Sequence, residues 1–268
     1  MKTLKKITQT RIHIWNRCFL KQDLSLTIDR KEAPYRRLSI TILIAAGKPF
    51  TYRNTHNQDN AYQGVILGPN VDRTFIQAID SDISIFDAFI TTPEYKDLMN
   101  CVNPYEMRSL TQEELNKTHN LCHSSFYQAL SLDGAAQLFD AVIYSICEQN
   151  NQHTNRDLRI LRVVDIIEQH RAEDLSVTML AGNVNLSESR LRSLFKQHMH
   201  CTLPQYIRSV SVWKTIPLLA QGMNFTDAAH EAGFHDLAHF SRAVSEVIGT
   251  PPSSILKKRD LTVSLQPS

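Results

Sequence analysis

The sequence has no long apolar run, few glycines and prolines, and almost no net charge. Its longest purely aliphatic stretch, Ile42 to Ala46, is far shorter than the roughly 20 residues that span a bilayer. Eight glycines and ten prolines among 268 residues are too few for a collagen-like or low-complexity chain. The basic N-terminal segment is not followed by an apolar stretch, so we expect no secretory signal. We therefore expect a globular protein that makes no membrane contact.

The sequence also lacks a paired cysteine motif. Its five cysteines are scattered along the chain: Cys18, Cys101, Cys122, Cys147 and Cys201. An odd, dispersed set without a CxxC pair argues against a disulfide framework and against a cysteine-based zinc site. We therefore expect reduced thiols in a cytoplasmic protein.

The charge balance gives no general indication of nucleic acid as a partner. Twenty-nine basic residues against 27 acidic ones leave a formal net charge of +2. A chain of this composition that binds DNA must concentrate its positive charge locally. At roughly 100–200 residues per domain, a chain of 268 residues with 42% apolar side chains is expected to form two domains, each with its own core.

The first third of the chain has the period-two alternation of β-strands. Leu24, Leu26 and Ile28 lie on one face of such a strand. Similar runs follow at 39–44, 61–67, 74–79 and 83–89, separated by turn signals. This spacing predicts an antiparallel β-sandwich or barrel.

Helical patterns replace the alternation after Thr92. Thr111 and Glu114 fit a capping box at the start of one helix. A second helix is predicted over about 131–149, and its apolar face either packs on its own domain or forms a dimer interface. The polar run at 148–156 is the best candidate for a linker. The expected fold class is α+β, with an N-terminal domain at 1–150, a linker at 151–157 and an all-α domain at 158–268.

The helical part contains a weak internal duplication. In the first copy, a short helix after Ser176 and a turn lead to a second helix that Ser187 can cap. In the second copy, which begins at Asn224, Gly233 supplies the turn and Asp236 the cap. One such unit is explained equally well by ordinary helix packing, but packing alone does not require a repeat. An α-helix fits the DNA major groove, so two helix-turn-helix units can enter successive grooves.

Residues 157–256 resemble the C-terminal DNA-binding domain of the AraC/XylS family of bacterial transcription regulators. The matching stretches are LSVTMLAGNVNLSESRLRSLFKQ in the first unit and FTDAAHEAGFHDLAHFSRAVSEVIGTPPSSI in the second. The resemblance implies a sequence-specific regulator with two recognition helices. It also implies an N-terminal effector-binding or dimerisation domain, commonly a cupin-like β-barrel followed by helices.

Carried over by position, the resemblance assigns DNA contacts to nine residues. Base-edge contacts would fall on Ser189, Arg190, Arg192 and Ser193 in the first unit, and on Ala238, His239 and Arg242 in the second. Phosphate contacts, which position the protein without reading sequence, would fall on Lys196 and His235. The second unit has Ala238 and an acidic residue at Glu246, so we expect the first unit to dominate affinity.

Two residues depart from the family pattern. His200 stands where the family usually has a glycine after the first recognition helix, and a left-handed backbone there would cost about 1 kcal/mol. Pro217 falls inside the helix that should join the two units, where we expect it to kink or break that helix. This kink would alter the relative tilt of the recognition helices.

No pattern in the sequence indicates an enzyme or a cofactor. There is no Gly-rich phosphate loop, GxSxG elbow or HExxH motif. His13 and His56 are far apart, and His119 and His123 share a helix face without an obvious third metal ligand. A metal cupin or a DNA-repair methyl acceptor fused to the DNA-binding domain is therefore the weaker alternative.

The N-terminal domain leaves two roles open. Its apolar side chains either line a small-molecule pocket or simply fill the core. The candidate lining residues are Leu24, Leu26, Ile40, Ile42, Val65 and Phe75. The expected partners are double-stranded DNA, a small-molecule effector, a second copy of the chain and RNA polymerase. The alternative is a regulator without ligand, whose first domain makes only protein contacts.

Overall fold

The computed structural model describes residues 10–29, 36–53, 58–147 and 157–249, and the backbone of 261–265. Two compact units are present, each described by itself below. The first comprises Met1–Asn151 with Lys257–Gln266, and the second comprises Gln152–Leu256 with Pro267–Ser268. The polar run predicted as a linker, at 148–156, lies outside the described residues.

Strands dominate the N-terminal unit. In the described residues they are β1 (Thr10–Trp15), β2 (Cys18–Asp23), β3 (Leu26–Asp29), β4 (Ile40–Ala45), β5 (Phe50–Arg53), β6 (Asp59–Tyr62), β7 (Gly64–Leu67), β8 (Phe75–Ala78), β9 (Ile83–Ala88), β10 (Met107–Ser109) and β11 (Leu261–Leu265). One sheet has the order β10-β7-β4-β9-β2-β1-β11, and the other has the order β3-β8-β5-β6. The predicted antiparallel β architecture is confirmed, with β1–β11 as a parallel pair.

The strand β11 corrects the expected extent of the helical domain. The sequence predicts that all of 158–268 belongs to that domain, but Leu261–Leu265 pairs with β1 in the first unit, starting with Leu261 opposite Thr10. Without β11, the outer backbone groups of β1 would be unpaired at a sheet edge. The chain therefore returns to its N-terminal unit after completing the helical unit.

In the residues of the N-terminal unit that the structure describes, three helices accompany the strands: α1 (Pro93–Leu98), α2 (Gln112–Ser125) and α3 (Leu132–Ile146). The predicted capping box is confirmed, because the Glu114 N–H donates to Thr111 Oγ1 at 3.2 Å and the Thr111 N–H donates to Glu114 Oε2 at 2.7 Å. Phe139 of α3 packs against the rings of Trp15 and Phe86, with centroids 6.0 and 5.3 Å apart. The apolar face of α3 thus packs on its own domain, the first of the two alternatives.

A buried polar cluster lies on the other face of the large sheet. Residues paired directly across antiparallel strands share a face, so Ile42 lies on the helix side with Phe86, whereas Thr41 and Asp87 point away from α3. The face of Ile42 therefore differs from that of Leu43 and Val65, which pair with each other. The predicted pocket-lining set is therefore dispersed, because Ile42 and Val65 lie on opposite faces of the large sheet, whereas Leu26 and Phe75 belong to the smaller sheet.

Asp87 is the centre of this cluster and has no exposed surface. Its carboxylate accepts hydrogen bonds from Arg37 at 2.8 Å, Ser39 at 2.9 Å and Thr41 at 2.6 Å. Arg73 is also buried and donates to the Thr41 hydroxyl at 3.2 Å and to the carbonyl of Ser39 at 3.0 Å. Two guanidinium groups are thereby accommodated inside the unit around one carboxylate.

The expectation that every thiol is free is wrong for one pair. Cys101 and Cys147 form a disulfide that links positions 46 residues apart, while Cys18, Cys122 and Cys201 are free and buried. Spacing along the chain could not predict this bond, because the fold brings the end of α3 to the loop that follows α1.

The second unit is helical in its described residues. It contains α4 (Leu158–Gln169), a 3-10 turn (Ala172–Asp174), α5 (Val177–Gly182), α6 (Glu188–Met199), α7 (Leu203–Ala220), α8 (Phe225–Glu231) and α9 (Leu237–Val247). The central helix α7 packs against α4, α6, α8 and α9. Helix α7 therefore supports both of the predicted helix-turn-helix units.

Pro217 does not break α7. The helix continues from Leu203 through Pro217 to Ala220. A proline removes one backbone donor, and here the lost bond is the one to the carbonyl of Trp213. The loss falls in the last turn of a helix whose preceding residues are buried, including Thr215 and Ile216. Packing on both sides of α7 outweighs the missing hydrogen bond, so the expectation of a broken helix is wrong.

Candidate nucleic-acid interface

The first helix-turn-helix unit is built by two serine caps and a tight turn. The Ser176 hydroxyl accepts from the Met179 N–H at 3.1 Å at the start of α5, and the Ser187 hydroxyl accepts from the Arg190 N–H at 3.3 Å at the start of α6. Asn185 between the helices has a left-handed backbone with φ of 53°. Asparagine tolerates this conformation better than most residues. These local features fix where α6 begins.

The register of α6 separates a buried face from an exposed one. Leu191, Leu194, Phe195 and Met199 are buried against the rest of the unit. The five residues predicted to contact DNA from this helix are all exposed: Ser189, Arg190, Arg192, Ser193 and Lys196. The helix thus presents one continuous polar face to solvent, as the prediction requires.

The charge on this face is positive but partly offset. Helix α6 carries Arg190, Arg192 and Lys196 against a single carboxylate, Glu188. Glu188 Oε1 accepts from the Thr178 hydroxyl at 2.5 Å, and its other oxygen lies 3.8 Å from Arg192 Nη2. An acidic residue in the first turn also stabilises the positive end of the helix dipole.

The second unit repeats the construction with different residues. Asn224 Oδ1 accepts from the Asp227 N–H at 2.9 Å to cap α8, and Asp236 Oδ1 accepts from the His239 N–H at 2.6 Å to cap α9. The bonds that Asp236 accepts from backbone N–H groups, above all that of His239, lower the pKa of its carboxyl group. Gly233 has φ of +84°, which confirms the predicted glycine turn.

The exposed face of α9 is less basic than that of α6. His235, Ala238 and Arg242 are exposed, as predicted, whereas His239 is partly buried because its ring packs on Phe234 with centroids 5.4 Å apart. Helix α9 contains one arginine, Arg242, and one carboxylate, Glu246, so the charges of these two side chains cancel. Glu246 in turn pairs with Arg208 of α7 at 3.0 Å.

Lys214 and Arg171 hold the helices in place, and no sequence pattern predicts their contacts. Lys214 of α7 donates to the carbonyls of Ile167 and His170 at 3.1 and 2.6 Å, and so caps the C-terminal end of α4. Arg171 donates to the carbonyl of His230 at 2.9 Å, at the C-terminal end of α8. No local pattern reveals such contacts, because each joins residues 44 or more positions apart.

In the part of the chain that the structure describes, no group of three or more His, Cys, Asp or Glu residues could hold a metal ion. His119 and His123 stack with centroids 5.8 Å apart, and His119 Nε2 lies 3.2 Å from the Ala46 carbonyl. None of the described helices is sufficiently long and apolar to cross a membrane.

Comparison with known proteins agrees with this geometry. Residues 180–258 match the family model of a helix-turn-helix domain. The match lies within the helical unit, which is therefore similar to known helix-turn-helix domains. The transcriptional activator RhaS of Enterobacter sp. (strain 638) is 30% identical over 110 residues, which are 41% of this chain and 40% of RhaS. RhaS of Salmonella schwarzengrund (strain CVM19633) is 28% identical over 111 residues, with the same coverage.

Solved structures extend the likeness to the folds of both units. Apo ToxT of Vibrio cholerae strain SCE256 aligns with a TM-score of 0.58 at 12% identity, over 90% of this chain and 97% of ToxT. ToxT with an unsaturated fatty acid bound aligns with a TM-score of 0.51 at 10% identity, over 94% and 96%. At these identities the likeness concerns the two-domain fold alone. The chain spans about 40% of the length of the curated relatives it matches.

Proposed function

We propose that this chain is a sequence-specific DNA-binding transcription regulator in which α6 and α9 enter the major groove. The observation that carries the proposal is the pair of helix-turn-helix units on one helical body, each with an exposed polar face on its second helix. An α-helix fits the major groove, and the residues near its N-terminus reach base edges. A repeated unit of this kind is suited to two successive grooves.

Helix α6 is proposed as the main reader. Arg190 and Arg192 carry planar guanidinium groups that can bond two acceptors of one guanine. Ser189 and Ser193 flank them with hydroxyl groups that can bond base edges or phosphates. Lys196, nearly two turns along the helix, presents a point charge suited to a phosphate.

Helix α9 is proposed as the weaker reader. Arg242 is its one arginine, Ala238 can contribute only apolar contact to a base, and the ring of His239 is already engaged by Phe234. His235, which precedes the helix, is placed for a phosphate contact. Glu246 adds a negative charge that a DNA backbone would repel. Most of the binding free energy is therefore expected from α6.

The N-terminal unit is proposed to bind a small-molecule effector, to mediate dimerisation, or both. Its fold is similar to that of ToxT, which has been solved with an unsaturated fatty acid bound. An effector would act by binding unequally to the DNA-competent and DNA-incompetent arrangements of the chain. Regulation of transcription further implies contact with RNA polymerase and a place in the cytoplasm.

A regulator without ligand remains the second candidate, and one observation favours it. Asp87 already accepts hydrogen bonds from Arg37 Nη2, Ser39 Oγ and Thr41 Oγ1, within the unit itself. A site that awaits a polar ligand would leave such groups available. In that case the N-terminal unit would make only protein contacts.

Selection of duplexes from a random DNA library by the purified full-length chain, at one fixed ionic strength, tests the main proposal. We expect an enriched motif that the chain binds more tightly than a scrambled duplex. A variant with Arg190, Arg192 and Lys196 all changed to Ala should no longer enrich this motif. A matched variant with Lys48, Lys96 and Lys117 changed to Ala, which removes three exposed cations from the other unit, should still enrich the motif. Binding of every duplex alike by the wild-type chain would contradict the proposal.

A thermal-shift screen separates the two candidates for the N-terminal unit. Stabilisation by one class among sugars, fatty acids and other small metabolites would support an effector, because a ligand that binds only the folded chain raises its melting temperature. No response to any class, together with a dimer in light scattering, would support the regulator without ligand.

A further inference from the structure

The disulfide joins two parts of the N-terminal unit that are each held independently. Cys101 follows α1, and its N–H donates to the Leu98 carbonyl at 2.9 Å. Cys147 is the C-cap of α3, and its N–H donates to the Ile143 carbonyl at 2.8 Å. The backbone at both cysteines is therefore fixed by its own helix, whether or not the sulfur atoms are bonded.

An arginine adds to the positioning of Cys101. Arg108 Nε donates to the Cys101 carbonyl at 3.0 Å, and the same guanidinium bonds the Glu114 carboxylate at 2.8 and 3.0 Å. The Cα atoms of Cys101 and Cys147 are 5.9 Å apart, which lies within the range that a disulfide bridges without backbone movement. The two thiols would consequently remain within reach of each other after reduction.

The remaining cysteines are unsuited to exchange with a solute. Cys18 and Cys122 have no exposed surface, and Cys201 has almost none. Burial raises the pKa of the Cys122 and Cys201 thiols to about 12, and that of Cys18 further still. Since the thiolate is the reactive species, these three react slowly. Cys101 is the partly exposed member of the five and is accessible from solvent.

We propose that Cys101 and Cys147 form a reversible thiol–disulfide site that exchanges with low-molecular-weight disulfides of the glutathione type. The Cys101 thiolate attacks one sulfur of glutathione disulfide, forms a mixed disulfide and releases one glutathione thiolate. The Cys147 thiolate then attacks the Cys101 sulfur and releases the second glutathione. Two protein thiols are oxidised, one glutathione disulfide is reduced to two thiols, and the two protons pass to these products or to water.

The bond closes a loop that carries β10, α2 and α3, and it ties the C-terminal end of α3 to the loop that follows α1. Closing a loop of 46 residues restricts the unfolded chain. By the chain-entropy account, reduction should lower the melting temperature of the N-terminal unit by about 10 °C.

Equilibration of the purified full-length chain in buffers with different ratios of reduced to oxidised glutathione tests the proposal. Thiols are trapped with an alkylating reagent after denaturation, and the peptides are mapped by mass spectrometry. Under oxidising conditions we expect a Cys101–Cys147 cross-linked peptide, with alkylation of the three buried cysteines only. Under reducing conditions we expect alkylation of all five, and a return to the cross-link on reoxidation.

Three results would overturn the proposal: thiols that stay reduced in excess glutathione disulfide, separate glutathione adducts without a cross-link, or a bond that excess glutathione does not open. The conservative variants Cys101→Ser and Cys147→Ser should melt at the temperature of the reduced wild type in both buffers. The control variant Cys201→Ala should keep the redox-dependent shift. Since none of these readouts involves DNA, they are independent of the proposed regulatory function.

Discussion

Arg192 and Glu188 lie one turn apart on α6, with 3.8 Å between Nη2 of the guanidinium and Oε2 of the carboxylate. Both side chains are about half exposed, at 53% and 47% of their surface, so water screens their attraction. The contact orients Arg192 along the exposed face of the helix without burying it. This arrangement leaves the guanidinium free to exchange the carboxylate for a base edge when DNA binds.

Replacing Arg192 by Ala should cost about 1–3 kcal/mol of binding free energy on the selected duplex, provided that the guanidinium reads a base. The preference should relax at one base-pair position and remain elsewhere. Titration of the variant against duplexes altered at single positions measures both effects. A loss of the same size on every duplex would instead make Arg192 a phosphate contact.

Replacing Lys196 by Ala provides the contrasting case. A phosphate contact carries no sequence information, so all duplexes should bind more weakly by a similar factor. The slope of log affinity against log salt concentration should fall by about one, because one fewer counterion is released. Affinity measured at several salt concentrations tests this, and an unchanged slope would contradict the assignment.

Replacing Glu188 by Gln should tighten DNA binding by about two- to fivefold at low salt, since an exposed pair of this kind is worth up to about 1 kcal/mol. The variant frees Arg192 from its partner and removes a negative charge from the DNA-facing side. The gain should disappear as salt screens the charges. Glu113→Gln, which breaks a similar exposed pair with Lys117 in the other unit, is the matched control and should not alter affinity.

The recognition helices could be predicted from sequence because local chemistry specifies them. Ser187 and Asp236 are caps whose hydrogen bonds reach only three residues along the chain, and Gly233 occupies a turn that requires positive φ. The DNA contacts themselves rest on a resemblance and stay predictions. The structure shows only that these side chains are exposed, with the exception of His239, which is partly buried.

The strands of the first unit were harder to predict. In β1, the four consecutive residues Ile12 to Trp15 are all buried, so both faces of the strand are covered. On one face, Trp15 contacts Phe139 of α3. Burial on both faces removes the period-two alternation on which the prediction depended. The predicted run at 61–67 is divided into β6 and β7 at Gln63, whose amide donates to the Gly47 carbonyl at 2.9 Å. The strand β11 and the disulfide depend on distant partners and leave no local signal.

The buried cluster around Asp87 makes the N-terminal unit sensitive to loss of one charge. Asp87→Asn should lower the free energy of unfolding by about 3–5 kcal/mol, because the buried Arg37 guanidinium then lacks its carboxylate. Urea unfolding monitored by Trp15 fluorescence in a Trp213→Phe background reports on this unit alone, since the chain has two tryptophans. Asp59→Asn, in an exposed ion pair with Arg53, should leave the transition unchanged.

His200 is predicted to cost stability at the end of α6. Its φ of 54° and ψ of 19° are left-handed, a conformation that favours glycine. His200→Gly should therefore stabilise the helical unit by about 1 kcal/mol. Gly233→Ala, at a φ of +84°, should destabilise it by a similar amount. Urea unfolding followed by Trp213 fluorescence in a Trp15→Phe background tests both, and a destabilised His200→Gly variant would show that the imidazole contacts outweigh the backbone strain.

The last prediction concerns acid stability at the capping box of α2. Burial acts to raise the pKa of Glu114, but hydrogen bonds from Arg108 and from the Thr111 N–H outweigh it, so the pKa lies below the ordinary value of 4.5. A carboxyl group whose folded-state pKa is lowered contributes stability above its unfolded-state pKa and loses it as the pH falls through the folded-state value. The N-terminal unit should therefore lose this contribution from about pH 4.5 downward.

Glu114→Gln should remove the stability that the ionised carboxylate contributes. The difference in melting temperature between wild type and variant should therefore shrink as the pH falls below 4.5. Glutamine can still accept from the Thr111 N–H but cannot pair with the charge of Arg108. Glu113→Gln, on the same turn and paired with exposed Lys117, should keep the acid-dependent loss of the wild type. A difference between wild type and Glu114→Gln that stays constant from neutral pH to pH 3 would mean that the Arg108–Glu114 pair is maintained by hydrogen-bond geometry rather than by charge.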